Sequence, residues 1–223
     1  MNSETAQYIQ PSLTVDSQNR EVMAFAEKNA GSSADLRKRA VYLYYAVRDQ
    51  IRYDPYTVSV SAEILRASHT LKAGRGWCVA KAILLAACCR VFKIPARLGF
   101  ADIRNHLTTA NMREAMKTDI FFWHGYTSIY LDGVWIKATP AFNIELCEKF
   151  QIKPLEFDGY KDSIYHPFDL KGNKHMEYLK YRGEFVDVPI DRMTETFQKE
   201  YSGGDSLKAA DFDREVDQEI QSD

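Results

Sequence analysis

Apolar residues fill the stretch from Val79 to Phe92 almost without a break, interrupted only by Lys81 and Arg90. Fourteen residues exceed the usual length of a buried strand, and Ala, Leu and Ile dominate, so the pattern predicts a helix. It has almost no polar face, which places that helix inside the domain. Two earlier helices are expected. One runs to about Lys28, capped by Asp16 or Ser17, with Val22, Met23, Phe25 and Ala26 as its apolar stripe. The next starts at Ser33 and reaches Ile51 through Leu36, Ala40, Leu43, Ala46 and Val47. Residues 61–68 read as a short helix. Ala96 to Ile103 alternates as a strand does, and 104–118 is polar enough for an insertion or lid. Ile120–Leu131 and Val134–Thr139 flank Asp132-Gly133, a strong signal for a hairpin with a two-residue turn. Short helices are expected near 144–151 and over Asp191–Glu200, with one or two strands within Met176–Val188.

Composition narrows the class. The 223 residues suit a single domain, taken here as residues 1–203, with a net charge of −2 that favours neither nucleic acid nor an anionic membrane. The N-terminus lacks a basic and then apolar signal pattern, and no apolar run is long enough to span a bilayer. Residues 204–223 carry seven acidic side chains and few large apolar ones, so they are expected to form a disordered tail. Four cysteines (Cys78, Cys88, Cys89, Cys147) make no disulfide framework, since Cys78 and Cys89 stand about 16 Å apart on one helix. No zinc-ligand spacing is present, and no cofactor or metal is expected. These features imply a reduced, cytoplasmic protein.

Cys78 stands at the start of the buried helix, after Gly74-Arg75-Gly76-Trp77. Free backbone N–H groups and the positive dipole end there favour a thiolate, so Cys78 is the candidate nucleophile. A plain buried cysteine is the other reading of that residue. A nucleophilic Cys needs a base and an orienting group. Of the histidines, His69 precedes the Cys78 loop, His106 sits in the polar insertion, and His166 and His175 lie in turn-rich segments. His124 alone falls mid-strand among apolar residues. Counting back from the Asp132-Gly133 turn puts Tyr126 opposite Thr139, with His124, Tyr126 and Thr139 on one face. Thr139 is then placed to touch the His124 ring, and Asn143 is a second candidate orienter.

The ordered set Gly76-Trp77-Cys78, Lys93-Ile94-Pro95-Ala96-Arg97, His124-Gly125-Tyr126 and Trp135-Ile136-Lys137-Ala138-Thr139-Pro140 resembles the core of the transglutaminase-like superfamily. The resemblance covers about residues 35–145, leaving an aromatic-rich extension over 146–201. It implies an α+β, papain-like fold, with a buried helix starting at the nucleophilic Cys and packed against an antiparallel sheet. It also implies a Cys-His-Asp triad in which Cys78 matches the nucleophile and His124 the base. The family's Asp falls on Thr139, and its usual His-Ala-Trp reads His124-Gly125-Tyr126 here.

On this reading the chain is a cysteine hydrolase of peptides or small amides, with Trp77 and Tyr126 beside the substrate. An amine acyltransferase using the same residues, or a binding scaffold with a weakened triad, are the alternatives. The Cys78 N–H is expected in the oxyanion hole, with Trp77 or Tyr53 beside it. No calcium loop or zinc cysteines accompany the core. Oligomeric state is not legible.

Overall fold

The computed structural model describes residues 4–105, 109–164, 170, 176–201 and 211–220. Helix α1 (Arg20–Asn29) starts where the Asn19 side chain accepts from the Glu21 and Val22 N–H groups. Asp16, expected as the cap, instead accepts from the Ser68 N–H and hydroxyl, tying the lead-in to the body. Helix α2 (Leu36–Gln50) is capped by Asp35 and buries Ala40, Leu43 and Val47. The hydroxyl of Ser33, the expected cap, accepts from the Asp35 N–H instead. Strand β1 (Arg52–Tyr53) follows and pairs in parallel with β2 (Arg75–Gly76). Between them, helix α3 covers Ala67–Ala73 rather than 61–68, because the chain turns before it and Gly74, at φ +65°, closes it in a left-handed cap.

Helix α4 (Cys78–Val91) is buried at every position from Cys78 to Arg90. The two charges that interrupt its apolar run are buried with it, and each reaches carbonyls of neighbouring segments. Lys81 Nζ donates to the Arg48 and Ile51 carbonyls at the end of α2. Burial pulls its pKa down to about 7. Arg90 donates to the carbonyls of Ala96, Gln10 and Val186.

On the far side of α4 lies an antiparallel sheet in the order β5-β4-β3-β6. Its strands are β3 (Ala96–Asn105), β4 (Ile120–Leu131), β5 (Val134–Ala138) and β6 (Met176–Phe185), with helix α5 (Ala110–Met116) between β3 and β4. The hairpin takes the expected register, Leu131 opposite Val134 and Thr127 opposite Ala138, around a two-residue turn with positive φ at Asp132 and Gly133. Thr127 Oγ1 donates to the Ala82 carbonyl, which pins β4 onto α4. The sheet, the buried α4 and the α1–α3 layer make the α+β, papain-like arrangement expected of the chain.

Helices α6 (Ile144–Lys149), α7 (Ile190–Glu200) and α8 (Phe212–Ile220) complete the described elements. Of the tail expected to be disordered, residues 211–220 are described, and there the structure shows a docked helix instead. Phe212 and Val216 of α8 are buried, and Phe212 packs edge-on against Tyr53 and Tyr56. Glu215 accepts from the Tyr56 hydroxyl and from Asn111, while Lys149 pairs with Asp217. The acidic face of α8 thus docks on the body through its charges and its apolar edge. Among the described residues no helix is long and apolar enough to cross a membrane.

Candidate active site

The chain reaches Cys78 through a tight passage. A methyl group at Gly76 would come 3.0 Å from Ala80 Cβ and 3.2 Å from Thr70 Cγ2, so glycine lets β2 run directly into α4. Cys78 is the first residue of α4 and lines a cavity of about 350 Å³ together with Trp77, Tyr53, His124 and Tyr201. The backbone N–H groups of Gly125, Val79 and Cys78 itself each act to lower the pKa of the thiol. The first two residues of a helix have N–H groups with no partner inside it, and β4 adds the third.

These donors favour a thiolate, as the position at the helix start led us to expect, but burial outweighs them. It pushes the Cys78 thiol up to about 11. Burial also pulls His124 down to about 4. The resting pair is a neutral thiol and a neutral imidazole, not a thiolate–imidazolium pair. Alkylation of Cys78 should therefore be slow at neutral pH and accelerate about tenfold per pH unit up to about 11, since only the thiolate reacts. A rate already at its plateau near neutral pH would show a charged resting pair. Cys78 should still label first, because burial pushes Cys89 and Cys147 higher, to about 12, and Cys88 well above the usual thiol range.

His124 owes its setting to an irregular strand. Trp123 adopts φ +61°, and the β3–β4 register slips between Ala101 and Ile103. A bulge of this kind breaks the two-residue alternation and re-aims neighbouring side chains. It is held from several sides. The Trp123 N–H donates to Asp102 Oδ1 at 3.1 Å, and Arg182 Nε donates to the same oxygen at 2.8 Å. The Arg182 guanidinium lies 4.9 Å from the Trp123 ring centre, and the indole N–H donates to Thr196 of α7. Sequence reasoning missed Asp102, although the one acid in the strand, between Ala101 and Ile103, was the available signal.

Neither Tyr126 nor Thr139, which alternation groups with His124, lines the cavity that His124 shares with Cys78. Tyr126 corrects the expectation of a substrate contact beside His124: its ring covers Gly99, and its hydroxyl donates to Glu184 on the other face of the sheet. There it lines a second cavity, with Lys137 and Tyr181. Thr139 Oγ1 is buried and makes no hydrogen bond among the described residues, so the expected bond to His124 is not formed. Asn143, the other candidate, accepts from the Tyr53 N–H at 3.0 Å and donates to Glu145 at 2.6 Å. Its amide anchors a cavity wall instead. His69 lies in α3, and His106, His166 and His175 fall outside the described residues.

Two phenols join the site from separate elements. Tyr53 comes from β1, and Tyr201 follows α7, where its hydroxyl accepts from the Phe122 N–H at 2.8 Å. Burial raises both pKa values, and the nearby Cys78 adds to the effect. Both hydroxyls stay protonated beside the thiol. Among the described residues no three His, Cys, Asp or Glu side chains are grouped to hold a metal ion.

Gly125 accounts for the Gly that replaces the usual Ala after the histidine. A methyl there would come 2.8 Å from Val79 Cα and 2.9 Å from its Cγ2, and a backbone atom cannot swing aside. Gly125→Ala should destabilise the protein by about 1–3 kcal/mol through overpacking. Any amide turnover should fall further than that loss explains, because β4 would be pushed off the start of α4. Wild-type melting and turnover in this variant would refute the close approach.

The comparisons bear on the fold and the family. A solved structure from Cytophaga hutchinsonii, described as a "putative cysteine protease", superposes with a TM-score of 0.50 at 16% identity. The match covers 82% of this chain and 55% of that one, so the chain spans little more than half the length of that structure. At that identity the likeness is one of fold. No curated protein matches the chain. Residues 23–140, just over half of the sequence, match the family model of the transglutaminase-like superfamily, and the chain belongs to that superfamily.

Proposed function

We propose that the protein is a cysteine hydrolase of amide or peptide bonds, working through an acyl-enzyme on Cys78 with His124 as the base. Membership of the superfamily supports a cysteine-based enzyme. The observation that carries the finer reading is the shared cavity. Cys78 and His124 both line it, and the N–H groups of Gly125, Val79 and Cys78 favour negative charge on the sulfur.

A neutral imidazole is a competent base, and a neutral thiol holds the proton to be moved. As the sulfur attacks the carbonyl carbon, His124 takes the thiol proton, and the charge that develops meets the fixed N–H dipoles. His124 then passes the proton to the leaving nitrogen as the C–N bond breaks, which leaves a thioester on Cys78. Water, deprotonated by His124, attacks the thioester, releases the acid and restores the thiol. Thr139 carries no charge and makes no bond to the ring, so the working unit is a Cys78–His124 dyad. The Asp102-clamped bulge then supplies the positioning that a third side chain gives in a triad.

The test is to incubate the protein with a library of peptides and amides, with and without a primary amine, and to weigh the products. Acids formed whether or not amine is present support hydrolysis. Amides of the added amine would make the protein an acyltransferase, and no product at all would leave a binding scaffold.

A further inference from the structure

We propose that the cavity beside Cys78 accepts a neutral, aromatic acyl group of about the bulk of a phenylalanyl residue. The proposal rests on the reading of Cys78 as the acyl-enzyme nucleophile.

The walls carry the argument. Tyr56, Val60, Met112, Met116, Phe121 and Phe197 surround the space, and none of the described lining residues is Lys, Arg, Asp or Glu. The charges nearby are already engaged. Asp54 accepts from the Tyr56 N–H and pairs with Arg75, Asp102 pairs with Arg182, and Glu215 accepts from the Tyr56 hydroxyl and Asn111. A carboxylate or ammonium entering the cavity would lose its hydration and find no counter-charge, which is costly. The polar groups that do line it, including Ser59, Gln198 and the Tyr53 and Tyr201 phenols, are neutral and suit a peptide group rather than an ion.

Size and surface select the aromatic class. The volume of about 350 Å³ exceeds the roughly 150 Å³ that encloses a benzene, leaving room for a ring and its adjoining amide. Met112 and Met116 stand one turn apart on α5 and present soft sulfurs, which favour ring contacts. Aromatic rings on the remaining walls add edge and face contacts.

The experiment measures binding apart from turnover. N-acetylphenylalaninamide, N-acetylglutamic acid amide and N-acetyllysinamide are compared as protectants of Cys78 against iodoacetamide at mildly alkaline pH, with adducts mapped by mass. The phenylalanine amide should protect at concentrations at least about tenfold lower than either charged amide, in line with discrimination by apolar pockets. Val58 lines the cavity and is 39% exposed, so Val58→Arg should fold. It should bring protection by the glutamic acid amide to within reach of the phenylalanine amide. Equal protection by all three in the wild type, a preference for a charged amide, or no protection by any would overturn the proposal. Protection by the phenylalanine amide without hydrolysis of any amide would sink the acyl-enzyme reading and uphold the cavity's preference. Equal hydrolysis of charged and aromatic amides would do the reverse.

Discussion

Cys78→Ala is expected to remove amide turnover, by about 10⁶-fold if the thiol and base act as one unit, as nucleophile knockouts in such units do. Stability should change little. The side chain is 6% exposed and lines a cavity rather than filling one, so deleting a single sulfur should cost about 1 kcal/mol. The contrast between the two effects is what marks a nucleophile. Cys78→Ser sharpens it, because the variant keeps shape and polarity but offers a hydroxyl that a neutral imidazole deprotonates poorly in so dry a place. A merely structural cysteine would tolerate serine. Turnover within tenfold of wild type in either variant would move the chemistry elsewhere.

Arg90→Leu should produce the largest loss of stability, about 3–5 kcal/mol, the range for breaking a buried charged group away from its partners. Replacing a buried charge by an aliphatic is often harmless when both partners go together. Here the partners are main-chain carbonyls that remain. Arg90 Nε and Nη2 donate to Ala96 at 3.1 and 2.9 Å, Nη1 to Gln10 at 2.7 Å, and Nη2 to Val186 at 2.6 Å. These carbonyls belong to the lead-in, the start of β3 and the link from β6 to α7. Leucine would leave the buried Ala96 carbonyl and the part-buried Gln10 and Val186 carbonyls without this donor and untie the three segments from the end of α4. For a chain of this length the melting temperature should fall by roughly 10 °C. Arg90→Lys should recover part of the loss, since one ammonium cannot reach all three carbonyls. An unchanged melting temperature in Arg90→Leu would show that these ties do not hold the segments.

Much of the frame was legible because it rests on local pattern. The apolar run from Val79 sets α4 whatever surrounds it, and Asp132-Gly133 sets the hairpin register through the positive φ that its turn requires. Cys78 at the helix start follows from the same run. What escaped depends on tertiary contact. Lys81 and Arg90 read as interruptions, since most of the carbonyls they serve lie far away in sequence. The Trp123 bulge has no sequence mark, and alternation alone groups His124 with Tyr126 and Thr139, neither of which lines its cavity. The neutral thiol escaped for a similar reason, as the dipole is local and burial is not. One omission was avoidable: Phe212 and Val216 stand four residues apart among acidic neighbours, the spacing of a docked helix stripe.

The most direct test of the account is to look for the acyl group on the enzyme. Wild type, Cys78→Ala and His124→Ala are mixed with an activated ester of an apolar aromatic acyl group, quenched in acid within the first turnovers, and mapped by mass spectrometry. The account predicts one acyl mass on the peptide that carries Cys78 in the wild type. It predicts much slower appearance of that mass in His124→Ala and none in Cys78→Ala. Acylation of Cys88, Cys89, Cys147 or a non-cysteine residue, or ester and amide turnover with no acyl group on Cys78, would contradict it.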